Sequence, residues 1–187
     1  MTLKEKLQMD TNGLIAHGPV TIAFFGDSVT HGCFEDGVFD FDAVYHAKLA
    51  RMLHWDYPTM PVNIINAGIG GITAKTSLPR LHRDVISHHP DLAVVCFGLN
   101  DVNDTVEEYT EALGQIFQAL GAAGIPAVFL TPTLPGHILH LVGSFCCQTA
   151  GGIVSRHHQN SHGTGSSTKS RCDRPSFCMH VSPSFLS

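Results

Sequence analysis

Short apolar runs alternate with longer amphipathic stretches along the first two-thirds of the chain. The runs cover residues 20–25, 62–66, 92–97 and 127–130. Runs this short, rich in Val, Ile, Phe or Ala and closed by turn-forming residues, read as buried strands. Between the first two, Phe41, Val44, Tyr45, Leu49, Met52 and Leu53 form one stripe of a helix over residues 41–55, closed by Pro58 and Pro61. Residues 73–88 read as a helix that breaks or restarts near Pro79. The best-marked helix follows Thr105 and Glu108, which have the spacing of a capping box. It repeats Val106, Tyr109, Leu113, Ile116, Phe117 and Leu120, and Gly121 and Gly124 end it. At the N-terminus, residues 2–9 suggest a short amphipathic helix, with Thr11-Asn12-Gly13 as the turn after it. Strands separated by such helices imply a parallel sheet covered on both faces, a flavodoxin-like three-layer α/β sandwich.

Three of the four strands run into polar, glycine-bearing loops: Gly26-Asp27-Ser28, residues 67–71, and Gly98-Leu99-Asn100-Asp101. The carboxyl ends of parallel strands share one edge of the sheet, where open α/β sheets bind ligands. Ser28 stands where the first strand breaks, a position suited to a nucleophile ringed by backbone N–H groups. Asp27 and Ser28 would equally suit plain helix capping. Convergence of the three loops favours a site.

Composition narrows the function classes. The 187 residues suit one domain, and 43% of them are hydrophobic, enough for a core. A net charge of −5 gives no basic surface for nucleic acid. No stretch approaches the roughly 18–20 apolar residues of a membrane span, and residues 1–10 lack a signal-peptide core. The expected location is cytoplasmic. The six cysteines include no Cys-x-x-Cys pair, so no zinc site is expected from spacing, and without an export signal no disulfide framework is expected.

The three loops carry a resemblance. Gly26-Asp27-Ser28-Val29-Thr30-His31-Gly32, Asn66-Ala67-Gly68-Ile69-Gly70-Gly71 and Gly98-Leu99-Asn100-Asp101 resemble the ordered blocks of the SGNH (GDSL-type) hydrolases, a family of esterases and acylhydrolases. The resemblance covers residues 21–131. It implies that family's sandwich fold, with strands in spatial order 2-1-3-4, and hydrolysis of small acyl esters, acylated carbohydrate among them, without metal or organic cofactor. Ser28 would be the nucleophile. The Ser28 and Gly71 N–H groups and the Asn100 amide would hold the oxyanion, with Gly70 as the alternative donor. Asp27, Gly70 and Asp101 would contribute to substrate binding. Ile72 stands where many relatives carry a polar residue. The implied partner is a small ester, with no nucleic acid and no membrane span.

The family's fourth block, an Asp three residues before a His, is absent from this sequence. The pairs Asp27/His31, Asp42/His46 and Asp84/His88 are each four apart and read as local contacts. His31 is near Ser28, but the resemblance gives it no role as base. His180 follows Asp173 by seven. The composition also changes sharply: residues 1–136 hold 15 acidic and 7 basic residues, residues 137–187 one acidic and four basic, with ten Ser, six His and four Cys. The expected organisation is an incomplete hydrolase-like domain over residues 1–136 and an irregular tail over 137–187. A shift of reading frame near codons 134–137 accounts for that break, and sequencing the gene across codons 130–140 tests it. If no other frame encodes an apolar-patterned segment with Asp-x-x-His, the tail is authentic, a mostly disordered segment whose scattered histidines would make weak metal ligands. A catalytically inactive ligand-binding module on the same scaffold is the alternative to an esterase. A nucleotide-binding flavodoxin-like protein is a third class, weakened by the lack of a Gly-x-Gly-x-x-Gly or P-loop after the first strand.

Overall fold

Val20, Ile22 and Phe24 face one side of the first strand and Ala23 and Phe25 the other, and all five are buried. A strand apolar on both faces must lie inside a sheet with layers above and below it. The computed structural model, which describes residues 1–35, 37–131 and 178–179, has that architecture. Its elements in chain order are α1 (Leu3–Leu7), α2 (Thr11–His17), β1 (Val20–Gly26), α3 (Ser28–His31), β2 (Cys33–Glu35), β3 (Val38–Phe39) and α4 (Tyr45–Asp56). Then come β4 (Val62–Gly68), α5 (Ala74–Ser77), α6 (Leu81–Asp84), β5 (Leu92–Cys96), α7 (Val106–Ala122), β6 (Ala127–Thr131) and the two-residue β7 (Cys178–Met179).

The sheet order is β4-β1-β5-β6-β7. The first four strands are parallel, as expected from order 2-1-3-4, and β7 is antiparallel to β6. Two cores flank the sheet. Ala23, Phe25, Ala93, Val95 and Phe129 pack with Leu81 and Val85 and with Tyr109, Leu113, Ile116 and Leu120 of α7. On the opposite face Val20, Ile22, Phe24, Val94 and Val128 meet Leu3 and Leu7 of α1, Leu14 of α2, and Tyr45, Leu49 and Leu53 of α4. The ion pair Lys6–Asp91, at 2.8 Å, secures α1 to the sheet, and Asp91 also accepts from the Thr21 N–H.

Several local expectations shift. The helix expected over 41–55 begins at Tyr45, leaving Phe41 in the preceding loop, 58% exposed. Tyr45, Leu49 and Leu53 recur every four residues and face the core, whereas Met52 is rotated off that line and is 63% exposed. Thr11-Asn12-Gly13 opens a helix instead of closing one, because Asp10 caps it by accepting from the Gly13 N–H at 2.9 Å. Residues 73–88 form α5 and α6 joined by a 3₁₀ turn, Leu78–Arg80, with Pro79 inside it. The loop over 30–40 contains the hairpin β2–β3. The capping box at Thr105 and Glu108 forms as expected; α7 runs through Gly121, and Gly124, at φ +69°, lies just beyond it. Among the described residues no helix is long and apolar enough to cross a membrane. The irregular tail expected over 137–187 lies outside the described residues apart from the β7 pair.

Candidate active site

The chain leaves β1 toward β4 on one side and leaves β5 toward β6 on the other. The loops after β1 and β5 therefore diverge, opening a crevice at their carboxyl ends. Ser28 and Asn100 stand in those two loops.

Ser28 is the first residue of α3, a single helical turn. Asp27 caps that turn: it is 1% exposed, and its Oδ1 accepts from the Val29 N–H at 2.9 Å. The turn sits unusually close to the sheet, and two glycines allow it. A Cβ on Gly26 would overlap Thr30 Oγ1 and lie 2.5 Å from the Cys96 carbonyl oxygen. A Cβ on Gly68 would overlap the His31 N–H nitrogen and lie 2.6 Å from the Thr30 carbonyl carbon. The floor of the turn is fixed by Thr30, fully buried, whose Oγ1 lies 3.0 Å from the Tyr45 hydroxyl. His46 donates from Nε2 to the Thr30 carbonyl at 3.1 Å.

The loop after β4 brings the second set of groups. A Cβ built on Gly70 would lie 3.7 Å from Ser28 Cβ, so this loop passes directly alongside the Ser28 side chain. Gly71 has φ +78°, a conformation that favours glycine. Asn66 fixes the loop's start, accepting from the Gly68 N–H at 3.0 Å and donating to the His31 carbonyl at 3.2 Å. From the third loop, Asn100 donates Nδ2 to the Ile72 carbonyl at 3.0 Å, which engages one of its two amide hydrogens. Asp101 Oδ1 accepts from the Ala74 N–H at 2.8 Å. Asn100 and Asp101 thus tie the third loop to the second. Among the described residues nothing hydrogen-bonds the Ser28 hydroxyl or the Ser28 and Gly71 N–H groups.

Burial raises the pKa of Asp27 above the usual carboxylate value, and the nearby Asp101 carboxylate adds to the effect. Burial likewise raises Asp101, whose Oδ2 is buried without a partner among the described residues. An acid held higher in the folded state contributes stability that is complete below its unfolded value, near 3.8, and lost as pH rises through the folded value. Asp101→Asn keeps an acceptor for the Ala74 N–H and removes the buried charge. Its thermal midpoint relative to wild type is therefore expected to rise as pH increases from 4 to 7, measured by circular dichroism; a constant offset would contradict the assignment.

A model of the GDSL-like Lipase/Acylhydrolase family matches residues 24–145, which contain all three loops. The chain belongs to this family. An acetylxylan esterase of Geobacillus stearothermophilus is 33% identical over 86 residues, 43% of this chain and 39% of that protein. Among solved structures, a lipase/acylhydrolase from Enterococcus faecalis is 29% identical with a TM-score of 0.50, covering 60% of this chain and 57% of that one. A two-domain esterase active on acetylated mannans is 26% identical with a TM-score of 0.52, covering 59% of this chain and 29% of that one. This GDSL-like chain thus spans about two-fifths of the length of the curated relative it matches.

None of the three Asp/His pairs four apart puts its carboxylate on its histidine. Asp27 bonds Val29, Asp84 bonds Arg80 and Arg83, and His46 donates to the Thr30 carbonyl. Burial holds His46 below the usual imidazole range. His31 shares the turn with Ser28, but its ring packs 4.7 Å from Phe39, and its buried Nδ1 has no partner among the described residues. Among these residues no group of three or more His, Cys, Asp or Glu is placed to hold a metal ion. Sequence reading overlooks one residue of this GDSL-like site, Arg80. It is buried beneath the loops and bonds the carbonyls of Gly26 and Ala67 at the ends of the strands that lead into two of them. An arginine beside Pro79 in a broken helical stretch carries no periodic signal for burial.

Proposed function

We propose that the chain hydrolyses small acyl esters through Ser28, with an acetyl group on a carbohydrate as the favoured substrate. The observation that carries this reading is the adjacency of Gly70 to the Ser28 side chain, which sets the glycine loop beside a serine whose hydroxyl has no partner among the described residues. Membership of the GDSL-like family supports the reaction class. The relatives named as esterases of acetylated xylan and mannan support the substrate class.

In this reading the Ser28 Oγ attacks the ester carbonyl and passes its proton to a solvent water. The oxyanion is received by the Ser28 and Gly71 N–H groups and the second amide hydrogen of Asn100. The carbon–oxygen bond to the alcohol then breaks, and the alcohol leaves with a proton returned by that water. Water attacks the acyl-serine, releasing the acid and restoring the hydroxyl. Gly70 and the buried Asp27 and Asp101 shape the floor of the cleft. The sequence has no Asp-x-x-His to supply a base, so turnover is expected to be slow. Oxyanion stabilisation and binding alone still sustain about 10³–10⁴-fold catalysis over water in enzymes stripped of triad members.

The test is reaction of the purified protein with a fluorophosphonate, peptide mapping of the adduct, and assay of p-nitrophenyl acetate and acetylated xylo-oligosaccharides. An adduct on Ser28 with turnover of acetyl esters is expected. Asn100→Ala is expected to lower kcat about 10²–10³-fold, the usual cost of one oxyanion donor. An intact fold that neither labels nor turns over would instead favour a binding module, the reading supported by the absent Asp-x-x-His.

A further inference from the structure

We infer that Arg80 is a positioning residue, a planar clamp that holds the nucleophile turn and the glycine loop at a fixed separation. The β1–β4 ladder ends at the pair Gly26 and Gly68, and beyond it the two chains enter their loops. Across this end Arg80 Nη2 donates to the Gly26 carbonyl at 3.1 Å, and Nη1 donates to the Ala67 carbonyl at 2.7 Å. Gly26 immediately precedes Asp27-Ser28, and Ala67 opens the run to Gly70-Gly71. One rigid guanidinium therefore joins carbonyls at the ends of the two strands that lead into the two halves of the site.

The clamp is itself fixed. Asp84 pairs with Nη1 at 3.2 Å, Ser77 Oγ lies 3.4 Å from Nη2, and the guanidinium carbon stands 4.4 Å from the centre of the Phe25 ring. The Ile69 N–H also bonds the Gly26 carbonyl, at 3.1 Å, so that oxygen anchors both the clamp and the glycine loop. A lysine ammonium is a compact point charge without the planar fork that spans two carbonyls, so Arg80→Lys keeps the charge and loses the bridge.

Amide hydrogen exchange on the full-length protein tests the clamp without reference to activity. The reporters are the amides of Val29, His31 and Gly32 in the turn and of Gly68 and Ile69 in the loop, all hydrogen-bonded. Arg80→Lys is expected to speed exchange of both groups about tenfold or more while β5 amides stay within about twofold, because local opening is separable from global unfolding. Asp84→Asn removes an ion-pair partner but no carbonyl bond, and is expected to leave both groups within about twofold of wild type. Uniform acceleration that includes β5, no acceleration, or equal acceleration in Asp84→Asn would each overturn the inference.

A kinetic arm rests on the serine-hydrolase reading above. Arg80→Lys should lower kcat for p-nitrophenyl acetate up to about 10²-fold at nearly constant KM, since small misplacements of reacting groups are costly. If wild type shows no turnover, that reading falls while the exchange result still decides the clamp. Should Arg80→Lys not fold, native-state exchange of wild type in increasing denaturant decides it: the two amide groups should open as one unit, and independent opening would refute the clamp.

Discussion

Ser28→Ala is expected to abolish fluorophosphonate labelling and to lower acetyl-ester hydrolysis to the rate that binding and oxyanion stabilisation alone sustain, with little change in stability. The two halves of this expectation have separate physical origins. Loss of a nucleophile removes the covalent path, and the residual rate comes from binding and oxyanion stabilisation alone. Stability is spared because the Ser28 hydroxyl has no hydrogen-bond partner among the described residues and the residue is only half-buried. Substitutions at such positions usually stay within about 0.5 kcal/mol. The cap of the turn belongs to Asp27, whose carboxylate the variant leaves in place. Labelling and denaturation measured on the same preparation check both halves. Labelling that persists in Ser28→Ala would remove Ser28 from the mechanism.

Gly68→Ala is expected to be among the most destabilising single-methyl additions in the described structure. The added Cβ would meet His31 N, the Thr30 carbonyl carbon at 2.6 Å and His31 Cα at 2.7 Å, and all three are backbone atoms of α3. Side chains can rotate away from an intruder, but a helical turn capped by Asp27 and bonded to Asn66 and His46 must move as a body. Overpacking typically costs about 1–3 kcal/mol and occasionally more. With only backbone to displace, we expect about 3 kcal/mol, or a fall of about 10 °C in Tm for a chain of this size. The displaced turn carries Ser28, so activity should fall with stability. Gly121→Ala is the control. It lies within α7 with open space around its Cβ position, and it should gain about 0.5–1 kcal/mol. Equal thermal shifts in the two variants would refute the steric account.

The legible part of this molecule was what periodicity and end-of-strand chemistry can encode. Four apolar runs became four parallel strands in the expected order, because a run apolar on both faces has few places to go besides a sheet interior. The capping box at Thr105 formed because its signal is local, two side chains and two N–H groups within one turn. What escaped notice was either too short to show a pattern, open to a second local reading, or dependent on distant partners. The hairpin β2–β3 is too short for alternation to show. Gly13 looked like a breaker, yet Asp10 bonds its N–H and the helix runs through it. Phe41 matched the helical stripe, but the helix starts four residues later. Arg80 carries no sequence signal of burial, because its partners, the carbonyls of Gly26 and Ala67, come from other elements of the chain.

Neighbour relations in the sheet also bear on how the protein is made. Val20 pairs with Val62 and Ile22 with Leu92, so the strand that leads to Ser28 occupies the middle of the sheet while its partners are synthesised much later. Contacts between residues this far apart in sequence close slowly, and a central strand awaiting both neighbours keeps two unpaired edges. On the ribosome, β1 must therefore wait, aggregation-prone, until residue 96 has left the exit tunnel. Slow translation after that point, or a chaperone able to cover the apolar residues of β1, would favour correct assembly. The segment that carries the chemistry is translated before both of its sheet neighbours and is buried only once they arrive.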